Sequence, residues 1–182
     1  MILGLDCSTS VCGHCLFYND TRFTLGHLNF EPNMNIISKI QMFQSYLEDL
    51  IRDFKDEHVF IFLEDYLKSY SSGRTSKQTI ISLAQMNILV QYVITTHFKD
   101  YCKLQTLHVK TARKSALGFS IPNKLDKTKY SNQKDFVQQW FYENIGYDFP
   151  KKKRKVEDNI AESGDMIDAY IMARAGYKLM NI

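Results

Sequence analysis

Val59-Phe60-Ile61-Phe62-Leu63 is an unbroken apolar run of strand length that stops at Glu64-Asp65. A strand with one wet face alternates apolar and polar residues, so an unbroken run fits a strand covered on both faces of a sheet. The remainder of the chain must then supply helices for two layers. Ile36, Ile40, Phe43, Leu47, Leu50, Ile51 and Phe54 recur at the helical period, and helices are further expected over 76–98, 110–117, 134–145 and 165–180.

Ahead of the first helix, Ile2 to Leu5 (closing at Asp6), Gly13 to Tyr18 and Phe23 to Phe30 read as three short strands, with Asn19-Asp20 as a turn signal. Short connections make them an antiparallel meander. Leu104 to Val109 reads as a fifth strand. The element order predicts an α/β fold: a mixed five-stranded sheet, three antiparallel strands then two parallel crossovers, with helices on both faces. No linker composition or internal repeat divides it, so residues 1–182 are expected to form a single domain.

No run reaches the roughly 18 apolar residues of a membrane span, and the first residues lack the form of a secretory signal, so an intracellular protein without membrane contact is expected. The 23 Lys and Arg against 20 Asp and Glu give a net charge of only +3. Affinity for a polyanion must come from placement of charge. Cys7, Cys12, Cys15 and Cys102 are expected as reduced thiols, because three crowd into nine residues and none has the partners of a zinc site.

Asp6 and Glu64 terminate apolar strands, and Asp165 and Asp168 lie three apart on one face of the last helix. Singly, each suits a cap or a turn. Gathered together, they would repel and raise one another's pKa unless divalent cations neutralise them, and hard oxygen donors suit Mg²⁺ or Mn²⁺. Two such ions about 3.5 to 4 Å apart support in-line phosphodiester hydrolysis.

Ile2-Leu-Gly-Leu-Asp6, Phe62-Leu-Glu64 and Gly164-Asp165-Met-Ile-Asp168-Ala169 resemble the signature of RuvC-type Holliday-junction resolvases of the RNase H-like superfamily, and are most similar to those of phages and large DNA viruses. The resemblance covers nearly the whole chain. It implies Asp6, Glu64, Asp165 and Asp168 as ligands of two Mg²⁺ ions per site, with Mn²⁺ as a substitute. It also implies catalytic lysines at Lys110 and Lys134, and a homodimer that cuts two strands of a four-way junction symmetrically. The chain departs from the bacterial members at Leu67, where they carry an aromatic residue; Tyr66 and Tyr70 flank that position, and either would stack on an unpaired base.

Lys68 and Arg74 share the loop of these tyrosines, and Lys110, Arg113, Lys114, Lys124, Lys127 and Lys129 form a longer basic stretch. Lys151, Lys152, Lys153, Arg154 and Lys155 form another, beside Pro150. Such cations suit the sugar-phosphate backbone of branched DNA, with shape rather than base sequence recognised. The 150–156 block also has the form of a nuclear import signal, which points to a nucleus or a viral replication compartment. Two other functions fit parts of the chain: a catalytically inactive junction-binding module, and an ATP-binding domain of the actin and sugar-kinase type, whose phosphate turn Leu3 to Ser10 resembles. Such kinases close two domains over a nucleotide, and this chain supplies one.

Overall fold

The computed structural model describes residues 1–54, 57–65, 76–122, 126, 130, 133–146 and 162–180. Strands Ile2–Cys7 (β1), Val11–Asn19 (β2) and Arg22–Asn29 (β3) form the meander, followed by helix Ile36–Leu50 (α1). Then come strand Val59–Glu64 (β4), helix Lys77–His97 (α2), strand Cys102–Leu107 (β5) and helices Val109–Leu117 (α3), Gln133–Ile145 (α4) and Glu162–Leu179 (α5). One sheet runs β3-β2-β1-β4-β5. The β1–β2 and β2–β3 pairs are antiparallel, and β1–β4 and β4–β5 are parallel, as the element order predicts.

Helices cover both faces. Leu3, Leu5, Val59, Ile61 and Leu63 pack with Phe43 and Leu47 of α1 and Met86 and Val90 of α2. Ile2 and Phe62 point the other way, into a core with Ala112 of α3, Phe141 of α4 and Ala169, Tyr170 and Ala173 of α5. Both sides of the Val59–Leu63 run are thus used. Because strand side chains alternate, Asp6 and Glu64 fall on the face of Ile2 and Phe62, which is the face under α5.

Some boundaries differ from expectation. Helix α1 stops at Leu50 and passes into a 3₁₀ turn at Arg52–Phe54, which carries Phe54 back to the core edge. Strand β5 begins two residues early and ends at Leu107, because the His108 ring accepts the Lys110 amide as the N-cap of α3. Helix α5 starts at Glu162, so Asp165 stands within its first full turn and not at its opening. Cys7 and Cys12 form a disulfide, which corrects the reduced-thiol expectation for that pair. The antiparallel register sets them directly opposite each other, despite their separation of only five residues. Cys15 and Cys102 are free and buried. Helix α2 is long and apolar enough, by length and composition, to cross a membrane, although no unbroken apolar run marked it. Its Met86, Val90, Val93 and Ile94 are buried against the sheet.

Two glycines let α5 lie directly on the strands. A Cβ at Gly4 would overlap the carbonyl oxygen of Ala169, and one at Gly13 would overlap the carbonyl of Asp165. Gly13→Ala is therefore expected to cost about 1–3 kcal/mol through overpacking, which is a fall in Tm of roughly 2–10 °C for a chain of this size. A thermal melt checks it, and an unchanged Tm would mean that α5 stands farther from β2.

His14 is a second test of the packing. Its buried ring shares a hydrogen bond of 2.7 Å between Nδ1 and the Tyr46 hydroxyl, and burial pushes the pKa of Tyr46 up to about 12. Burial, aided by the charge of His27, pushes His14 down from 6.5 to about 4. The unfolded chain thus takes up a proton near pH 6.5 that the folded chain refuses until about pH 4. The part of the stability linked to His14 is full above pH 6.5 and is expected to be lost toward pH 4, by about 3 kcal/mol in all. Urea unfolding at pH 7.5 and 4.5 is expected to show this loss, and His14→Gln is expected to shrink it.

Candidate metal centre

Three carboxylates meet at the carboxyl ends of the parallel strands. Each of Asp6, Glu64 and Asp168 places one oxygen within 4.8 Å of the others. Strand register delivers the first two: Leu5 pairs with Leu63, so Asp6 and Glu64 each come one residue beyond that pair on neighbouring parallel strands. Helix α5 delivers the third. With Ala169 and Ala173 seated over Gly4, Asp168 is pressed into the same corner and is 5% exposed.

Two further side chains hold this corner. Asn87, buried on α2, donates its Nδ2 to the backbone carbonyl of Glu64 at 2.8 Å and accepts from Gln91 at 2.6 Å. That bond ties the end of β4 to the helix behind it, on the face opposite α5. Arg113 of α3 donates its Nη2 to Asp168 Oδ1 at 2.8 Å. Expected among the cations that meet DNA, Arg113 is directed inward, and it lines a small cleft with Val137, Gly164, Ile167 and Asp168.

The other expected residues divide into three sets. Asp165 lies outside the group of three; it is one turn earlier on α5, where its backbone packs on Gly13 of β2 and not over the β1–β4 pair. Lys110 and Lys114 are exposed on α3, with Lys110 in the first turn, beside the end of β5 that pairs with Glu64. Lys134 belongs to α4, and its side chain lies outside the described residues, as do Tyr66, Leu67, Lys68, Tyr70, Arg74, Lys124, Lys127, Lys129 and the 150–156 block with Lys151, Lys152, Lys153 and Arg154. Asn87 is the residue that sequence reasoning missed. Its signal was an amide at a core position of an apolar helix, and such a group must find a partner when buried.

The acid set suits a hard divalent cation. All donors are carboxylate oxygens, the ligand type that Mg²⁺ takes. The turn between β1 and β2 shows no comparable preparation for ATP phosphates. The Ser8 hydroxyl is engaged within the turn itself, donating to the Val11 carbonyl and accepting from the Ser10 and Val11 amides.

No protein-family model matches the sequence, and no curated protein is similar enough to count as a relative. Solved structures do match. A Thermus thermophilus RuvC in complex with a Holliday-junction substrate superimposes with a TM-score of 0.62 at 10% identity, covering 99% of this chain and 94% of that one. A second Thermus thermophilus RuvC structure gives 0.58 at 11%, covering 99% and 96%. The yeast mitochondrial Holliday-junction resolvase Ydc2 gives 0.59 at 14%, covering 99% and 78%. At these identities the likeness concerns the fold: the chain has the RuvC-like form of the RNase H-like fold, and its acidic corner is a candidate metal-binding site.

Proposed function

We propose that the protein is a structure-selective endonuclease that resolves four-way DNA junctions by Mg²⁺-dependent phosphodiester hydrolysis. The observation that carries this reading is the convergence of Asp6, Glu64 and Asp168, from three separate elements, on a fold shared with junction resolvases. Asp6, Glu64 and Asp168 would hold the metal, and Asp165, one turn away, would complete a set for two ions, with Mn²⁺ able to replace Mg²⁺. A divalent ion there supplies Lewis-acid stabilisation of charge developing on the scissile phosphate. Lys110 and Lys134 would add positive charge near that phosphate. The exposed Lys114 and the loop and tract cations named from the sequence would hold the DNA backbone.

A homodimer belongs to this reading, since a two-fold dimer matches the two-fold symmetry of a junction. Ile81, Ile88 and Tyr92 are exposed along one side of α2 and offer an apolar surface for it.

Incubation with Mg²⁺ and a synthetic four-way junction is expected to yield paired, symmetric nicks, with linear duplex left intact. Asp6→Asn, Glu64→Gln and Asp168→Asn are each expected to lower the rate about a thousandfold or more, and Asp165→Asn to lower it less. Junction binding without any nicking would instead identify an inactive module. ATP consumption without nicking would identify a kinase-like domain.

Metal binding has its own readout. Mg²⁺ at a hundred times its dissociation constant is expected to stabilise the fold by about 2.7 kcal/mol, raising Tm by roughly 5–10 °C. EDTA should reverse the rise, and Asp168→Asn should lack it.

A further inference from the structure

Arg113 sits within the acidic corner, bonded to Asp168, and not on the exposed side of α3 with Lys110 and Lys114. The side chains of Arg113 and Asp168 are 14% and 8% exposed, so water screens their contact only weakly. An arginine brings a full positive charge to such a contact. Helix α3 is also well anchored: Ala112 and Ala116 are fully buried against α5, and Lys178 of α5 donates to the Ala116 carbonyl at 3.1 Å. The contact is one-pronged. Nη2 meets Oδ1, while the Arg113 Nε is buried without a hydrogen-bond partner, so Arg113 does not grip the carboxylate in the bidentate way open to it.

A fixed cation on one of three ligands has two consequences. It orients Asp168 toward Asp6 and Glu64 while offsetting their mutual repulsion, and it opposes the arrival of another cation among them. We propose that Arg113 is a positioning residue that holds down the divalent-ion affinity of the free protein, so that firm ion retention awaits the negative charge of a bound phosphodiester. The inference rests on the nuclease reading and adds to it an order of events: DNA first, tight metal afterwards.

The test titrates Mn²⁺ into the free, full-length protein and follows binding by electron paramagnetic resonance, with cooperative thermal melting as the check on folding. Arg113→Gln removes the charge yet keeps a donor within reach of Asp168, and Arg113→Met removes both. Each is expected to tighten Mn²⁺ binding at least about tenfold, while Arg113→Lys stays within about threefold of the wild type. A purely structural role would not tighten binding. The inference is overturned if Arg113→Gln, melting cooperatively, binds Mn²⁺ no better than the wild type, even where the wild type cleaves junctions. Failure of the wild type to nick a four-way junction with Mg²⁺ or Mn²⁺ would overturn the nuclease reading instead, so the two failures are distinguishable.

Discussion

Two neighbouring parallel strands set the character of this protein by the parity of their residues. Ile2, Gly4 and Asp6 on β1, with Phe60, Phe62 and Glu64 on β4, face α5, while the odd-numbered residues between them face α1 and α2. A shift of one residue in either strand would turn its acid to the opposite face and its core residues with it. Fold and site therefore share one register: the apolar pairs that hold β1 beside β4 also fix the position of the two carboxylates.

The third acid depends on a different constraint, the absence of side chains at Gly4 and Gly13. Without that close approach, Asp168 would be held at the distance of an ordinary helix-on-sheet contact, and its oxygen would not reach the other two. Bringing three carboxylates together is costly unless positive charge offsets their repulsion. Arg113 offsets part of that cost through Asp168, and Asn87 restrains the backbone of Glu64 from the other side of the sheet. The corner is thus braced from both layers of helices.

Much of this could be read from the residues alone because the strongest signals were local. The unbroken Val59–Leu63 run announced a doubly covered strand, and the spacing of Ile40, Phe43 and Leu47 announced its cover. Asp6, Glu64, Asp165 and Asp168 stood out as acids beside apolar elements, and three of the four come together. What escaped was set by contacts between distant elements. Position along the chain made Arg113 one cation in a basic stretch, and only the docking of α3 on α5 turns it inward. Asn87 looked like one polar residue in an apolar helix until the end of β4 was beside it. The Cys7–Cys12 pairing depends on a register that spacing does not reveal, and the start of β5 was obscured by its alternating Lys103 and Gln105.

Helix α5 has one more consequence, for the order in which the molecule comes into being. It is the last described element, yet it lies on β1, β2 and β4, which the ribosome delivers long before it. Until residues 162–180 emerge, Phe17 and Phe62 lack their covering layer, and two of the three acids wait without the third. Contacts spanning so much of the chain form late in folding. A nascent or C-terminally truncated chain is therefore sticky, and its group of three carboxylates is completed only in the same step that seals its core.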